Sequence, residues 1–200
     1  IMEQYIGIDP DLDKSGVAII FQQRIQVLNC TFNHLVFTFF KNLADQQNSS
    51  PNINTTIFIE APYLNKTFFQ PVKAAMPVIA KMNRNIGENH AVAKIIVECA
   101  KSYGLNVVPV LPVRSTNYRD RGKKITGPQY VQMLERHGLL SEITASNQET
   151  RDAALIAVTY GLDKEPTSKD KIFDKEDMSK NFFNKVTKVG TDIILGKTSL

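Results

Sequence analysis

The stretch YIGIDPDLDKSGVAII, residues 5–20, contains two apolar runs separated by a polar turn. Residues 4–9 end in Asp9 and residues 16–21 form the second run, which predicts two strands. The turn between them, PDLDKS, is rich in residues that adopt tight backbone geometry. Residues 24–32 alternate well enough for a third strand, and three strands with short connections predict an antiparallel meander.

The rest of the chain alternates between predicted helices and strands, which indicates an α/β domain with a mixed five-stranded sheet flanked by helices. The region 62–85 gives no clear pattern. Pro109 suggests an edge position for the last strand. The predicted elements are a helix at 33–45, a polar connector at 45–54, strands at 56–60 and 106–110, and helices at 88–103, 128–137 and 148–160, the last capped by Ser146 or Asn147.

Composition indicates one soluble domain with an appendage, because the 200 residues are 42% hydrophobic and 22% charged. No apolar run reaches the roughly 18 residues that span a bilayer. We therefore expect no membrane span, no signal peptide and an intracellular protein. Cys30 and Cys99 are far apart and outside any CxxC pattern, which predicts two buried thiols and no zinc site. Residues 163–200 carry eight lysines and seven acids, which predicts a charged C-terminal extension after a domain at 1–162.

The net charge of +4 is concentrated in one stretch. Residues 101–124 contain six basic residues and one acid, a local charge of +5, so the rest of the chain sums to −1. Such a stretch is typical of a protein that binds a polyanion such as nucleic acid, with a solvated loop as the alternative.

Four acids stand at element ends: Asp9 and Glu60 end strands, and Glu149 and Asp152 begin the last helix, three residues apart on one face. Each alone has an ordinary explanation as a turn residue, a strand-end acid or a partner of the helix dipole. If they converge, two charges about 4 Å apart repel by about 4 kcal/mol at an effective dielectric near 20. A cluster of this kind requires cations, and its oxygen ligands favour Mg²⁺ or Mn²⁺, the ions of in-line phosphodiester hydrolysis.

These residues resemble a known family. The opening hairpin at residues 5–20 is similar to that of RuvC-type Holliday junction resolvases, which belong to the RNase H-like superfamily. IFIEAPY (57–63) resembles their second acidic strand, and ETRDAALIAVTYG (149–161) resembles their final helix. The run SYGLNVVPVLPVRSTNYRDRGKK (102–124) resembles the basic segment of poxviral resolvases.

The resemblance implies an RNase H-like fold and a homodimer that resolves four-way DNA junctions by paired symmetric nicks in recombination and repair. It also implies two Mg²⁺ ions per site, with Mn²⁺ as an expected substitute. Asp9 would bridge both ions, Glu60 would help to hold one, and Glu149 with Asp152 would hold the other. One ion would activate the attacking water and the other would stabilise the leaving 3′ oxygen.

The resemblance also indicates residues that contact DNA. Tyr63 matches an aromatic that stacks on a junction base, although a core aromatic is an equal alternative. Four basic residues match the phosphate-contacting segment, with Arg114 and Lys66 as weaker candidates. These four are Arg119, Arg121, Lys123 and Lys124.

The chain departs from the family pattern at two points. Asp11 stands where the family usually has glycine and could add a fifth acid, and the segment 64–86 is longer than in bacterial resolvases. The alternatives to a resolvase are an RNase H-like nuclease acting on RNA or flapped DNA and a nucleic-acid-binding protein without catalysis. We assign no chemical role to His34, His90 or His137.

Overall fold

The computed structural model describes residues 1–65, 76–113, 118, 123–141 and 146–164. The strands are β1 (Met2–Asp9), β2 (Lys14–Phe21), β3 (Arg24–Thr31), β4 (Ile53–Glu60), β5 (Val107–Val110) and β6 (Leu140–Ser141). The helices are α1 (Phe40–Ser49), α2 (Met76–Ser102), α3 (Gly127–Arg136) and α4 (Gln148–Ala157). A π-helical turn precedes α1 (His34–Phe39), another follows α4 (Val158–Leu162), and a 3₁₀ turn follows β4 (Pro62–Leu64).

The strands form one mixed sheet in the order β5-β4-β1-β2-β3-β6. β2 is antiparallel to both β1 and β3, whereas β4 is parallel to β1 and β5 is parallel to β4. An antiparallel meander followed by parallel strands in this order is the RNase H-like arrangement, so the predicted fold is confirmed. β6, which pairs with β3 in parallel, was not predicted because two residues are too short to show alternation.

Both faces of the sheet are covered. On one face α3 and α4 pack on residues such as Ala18, Ile25 and Phe58. On the other face α1 and α2 pack on residues such as Ile6 and Ile8. A strand that alternates between two apolar faces reads as a nearly continuous apolar run, which is why β1 and β4 are so apolar in sequence.

Helix α2 starts twelve residues before the predicted boundary at residue 88. Pro77 lies in its first turn, where a missing N–H costs nothing, so this proline does not oppose the helix. The prediction began late because the residues before Ala91 are mostly exposed and give no periodic burial signal. Although α2 has 27 residues, neither it nor any other helix in the described ranges is long and apolar enough to cross a membrane.

The two cysteines differ from each other. Cys30 is buried as predicted, and burial raises the pKa of its thiol to about 11. Cys99 is only partly buried, so the prediction of a buried thiol is wrong for this residue. It lies on α2 beside the buried stripe that includes Val97 and Ala100. Both thiols are free.

Candidate active site

Asp9 and Glu60 lie at the same edge of the sheet because β1 and β4 are parallel. Ile8 pairs with Ile59, so the next residues, Asp9 and Glu60, end neighbouring strands side by side. Side chains alternate along a strand, and Asp9 therefore shares the face of Gly7, which is the face that α4 covers. The sequence pattern of apolar strands ending in acids thus directs two carboxylates toward α4.

Helix α4 lies unusually close to β1 and β2. Gly7 packs against the backbone carbonyl of Ala153, and Gly16 packs against that of Glu149, so a Cβ on either glycine would overlap the helix backbone. Small residues on both partners permit this approach. It brings the first turns of α4, including the buried carboxylate of Asp152, to the ends of the strands.

The start of α4 is fixed by a capping box. The Asn147 side chain accepts a hydrogen bond from the Thr150 backbone N–H, and the Thr150 hydroxyl oxygen accepts one from the Asn147 backbone N–H. Asn147, rather than Ser146, is therefore the cap, which resolves the predicted alternative. Glu149 falls in the first turn, where the exposed N–H groups favour a negative charge.

An open cleft with a volume of about 260 Å³ lies where these elements meet. Its acidic wall consists of Asp9, Asp11, Glu60 and Glu149, so the acid that departs from the family pattern, Asp11, belongs to the cleft. Asp152 is only 4% exposed and interacts electrostatically with Asp9. The other lining residues are Pro10, Pro62, Ile86, Asn89, His90 and Lys124.

Lys124 brings a positive charge among these acids. Its ammonium Nζ lies 2.5 Å from Asp152 Oδ2. Burial lowers the pKa of Lys124, but the hydrogen bond and charge of Asp152, with the charges of Asp9 and Glu60, outweigh burial, so the pKa is raised. Lys124 therefore stays charged and partly balances three carboxylates.

The pKa of Asp9 is raised well above 3.8. Burial is the largest cause, and the negative charge of Glu60 is the next. Lys124 acts in the opposite direction, while Asp152 and Asp11 raise the pKa further. The ionised form of Asp9 is thus costly in this cleft unless additional positive charge is supplied.

The donor set fits a divalent cation in chemistry. Carboxylate oxygens are the ligands that Mg²⁺ and Mn²⁺ prefer. Burial first, and the charge of Glu60 second, disfavour ionised Asp9, and a bound cation would favour it. Within the described ranges, however, no three His, Cys, Asp or Glu side chains are arranged so that they could hold an ion together. The assignment of these acids as metal ligands therefore stays a prediction. One of them, Asp152, is paired with Lys124.

The predicted DNA-contacting residues are distributed unevenly. Tyr63 is half-buried in the 3₁₀ turn after β4, where burial raises the pKa of its hydroxyl, and it is not among the residues that line the cleft. Lys123 is exposed beside Lys124. The remaining candidates lie outside the described residues; these are Lys66, Arg114, Arg119 and Arg121.

Tyr118, inside the basic stretch, is buried against the end of α3. Its hydroxyl lies 2.7 Å from His137 Nε2, and the Arg136 guanidinium stacks over its ring, 5.6 Å from the centroid. Burial, followed by the charge of Asp163, raises the pKa of Tyr118. Tyr118 is thus held against the end of α3, and His137 has the structural contact expected of a packing or capping residue.

Three further residues at or beside the site were missed from the sequence. His90 and its neighbour Asn89 line the cleft from α2, and the only available signal was their position one turn before Ala93 on the buried face of that helix. Arg151 donates from Nε to the Ile125 carbonyl at 3.2 Å and from Nη1 to the Ser146 carbonyl at 2.8 Å. It therefore links α4 to the segment that carries Lys124.

A solved structure described as T. thermophilus RuvC in complex with a Holliday junction substrate is similar to this chain. The TM-score is 0.44, the sequence identity is 13%, and the similarity covers 79% of this chain and 92% of that chain. No protein-family model and no curated protein matches the chain.

Proposed function

We propose that this protein is a Mg²⁺-dependent endonuclease that resolves four-way DNA junctions by paired symmetric nicks in recombination and repair. The observation that carries the proposal is a single cleft in an RNase H-like sheet that Asp9, Glu60 and Glu149 line from β1, β4 and α4, with Asp152 close enough to act electrostatically on Asp9. Asp9, Glu60, Glu149 and Asp152 are the proposed metal ligands and catalytic residues. Strongly perturbed pKa values of buried acids in a cleft are typical of functional sites, which supports catalysis over binding alone.

Two Mg²⁺ ions, when bound, would activate the attacking water and stabilise charge on the leaving 3′ oxygen. The chain's own contribution is electrostatic and positional. Asp9 and Glu60 are fixed by the sheet register, while Asp152 is fixed by the close packing of α4. Such rigid elements hold the carboxylates in place before substrate arrives, which lowers the cost of organising the transition state.

The proposed substrate is a polyanion, and the chain supplies positive charge beside the acids. Lys124 lines the cleft and Lys123 is exposed next to it, so both suit contacts with backbone phosphates. Arg119 and Arg121, in the same basic stretch, are proposed to extend this contact. Tyr63, with its half-buried ring just after Glu60, is proposed to stack on a base near the branch point.

The choice of a four-way junction as the substrate rests on the sequence motifs. The opening hairpin, the acidic strand and the final helix resemble those of RuvC-type resolvases, and residues 102–124 resemble the poxviral branch. Paired nicks on a symmetric junction require two active sites, so we propose a homodimer. We assign catalysis to the domain at 1–162 and propose that residues 163–200 are an appended extension.

A side-by-side cleavage assay tests the substrate class. The full-length protein with Mg²⁺ is incubated with a four-way junction, a linear duplex of the same sequence, a flapped duplex and an RNA–DNA hybrid. We expect symmetric nicks in opposite strands of the junction and little cutting of the other substrates. Preferential cutting of the hybrid or the flap would replace the resolvase proposal with the other nuclease class.

A further inference from the structure

The Lys124 side chain is largely exposed, yet its ammonium contacts the buried carboxylate of Asp152. It is 67% exposed, whereas the Asp152 carboxylate that it contacts is only 5% exposed. The same ammonium also acts electrostatically on Asp9 and Glu60. One lysine side chain therefore interacts with three of the carboxylates that are proposed to bind metal.

The backbone next to Lys124 is firmly held. Ile125 is fully buried, and its carbonyl accepts a hydrogen bond from Arg151, the residue before Asp152 on α4. Consecutive residues of α4 thus contact consecutive residues of this segment, since Arg151 binds Ile125 and Asp152 binds Lys124. The anchor leaves the four-carbon side chain of Lys124 as the part that can change position.

A divalent cation and the Lys124 ammonium would bind the same carboxylate. Both seek the oxygens of Asp152, and two cations at one carboxylate repel each other strongly in a partly buried cleft. A metal ion at Asp152 Oδ2 would therefore weaken the contact that Lys124 makes with the same oxygen.

We propose that Lys124 is a tethered competitor of the divalent cation at Asp152, and that binding of the ion releases its ammonium to the mouth of the cleft, where it contacts a substrate phosphate. This inference rests on the proposed function. As a consequence, the Lys124 ammonium would partly balance the charges of Asp9, Glu60 and Asp152 until the ion binds. Release then supplies a phosphate contact at the point where cleavage is proposed to occur.

Competition is a thermodynamic coupling, so it is measurable without catalysis. The Mn²⁺ affinity of the DNA-free protein is measured by titration, with electron paramagnetic resonance reporting the concentration of the unbound ion. Lys124→Met should bind Mn²⁺ at least about fivefold more tightly than the wild type, the lower end of typical coupling between sites. Lys124→Gln serves as a second neutral variant in the event that Lys124→Met does not fold.

Two controls separate competition from general charge effects. Lys123→Met removes the same charge one residue away and should leave Mn²⁺ affinity within about twofold of the wild type, because Lys123 does not line the cleft. Lys124→Arg retains a competing cation and should stay close to the wild type. Unchanged or weaker Mn²⁺ binding by both neutral variants would overturn the competition.

A second readout tests release of the ammonium. Junction affinity is compared between the wild type and Lys124→Met in EDTA and in Ca²⁺, which occupies oxygen sites without requiring cleavage. The loss caused by Lys124→Met should be larger in Ca²⁺ than in EDTA, and an equal loss would contradict release. If the wild type binds no Mn²⁺ at all, both this inference and the proposed function fail. If the wild type binds Mn²⁺ and the neutral Lys124 variants bind it with the same affinity, this inference alone fails.

Discussion

Gly16 on β2 packs directly against the backbone carbonyl of Glu149 in the first turn of α4. Gly7 on β1 makes the equivalent contact with the Ala153 carbonyl one turn later. Two positions without side chains thus allow the helix backbone to touch the sheet. The location of Asp152 beside the strand ends follows from this contact.

Gly16→Ala should destabilise the protein, because the added methyl group would overlap the Glu149 carbonyl. Overpacking in a close-packed interior costs about 1–3 kcal/mol of the free energy of unfolding. Chemical denaturation followed by circular dichroism measures the loss. Displacement of α4 should also lower the proposed nuclease activity in the fraction of protein that remains folded.

Gly87→Ala is the matched control for this substitution. Gly87 lies within α2 with open space around it, so a methyl group there meets no neighbour. Alanine in a helix interior is favoured over glycine by about 1 kcal/mol. The control should therefore be slightly more stable than the wild type, and an equal loss at positions 16 and 87 would contradict the packing account.

Asp9→Asn should change how stability depends on pH. The raised pKa means that the folded protein holds the Asp9 proton more tightly than the unfolded chain does. Wild-type stability should therefore fall as the pH rises from about 3.8 through the raised folded value, whereas the variant lacks this loss. Thermal unfolding across this range should give a variant that becomes progressively more stable than the wild type as the pH rises.

Magnesium provides the control for the Asp9 effect. An ion that binds only the folded state raises its stability, so Mg²⁺ at neutral pH should raise the unfolding temperature of the wild type. The same addition should have a much smaller effect on Asp9→Asn. Equal responses of the two proteins to Mg²⁺ would argue against Asp9 as a ligand.

Neutralising Lys123 and Lys124 together should weaken junction binding and reduce its salt dependence. Each phosphate contact that is lost lowers the slope of log affinity against log salt by about one, so a decrease of one to two is expected. Fluorescence anisotropy in Ca²⁺ at several salt concentrations gives the slope. An unchanged slope would remove both lysines from the DNA interface.

The sequence predicted the strands well, and it placed acids at the ends of two of them, because both features depend on local pattern. Continuous apolar runs ending in Asp9 and Glu60 reflect strands covered on both faces, and the parallel register then brings these acids together. The contact between Lys124 and Asp152 could not be predicted, since it depends on how the segment before α3 packs on α4. The roles of Arg151 and His90 likewise arise from tertiary packing and have no periodic signal.

The most direct test of the account is cleavage of a four-way junction by Asp152→Asn in Mg²⁺, measured together with junction affinity. The account predicts that the wild type nicks the junction, and that the variant binds it with similar affinity but does not cut it, because an amide cannot replace the carboxylate at the proposed ion site. Cleavage by the variant at a rate close to that of the wild type would contradict the proposal that these converging acids carry the chemistry.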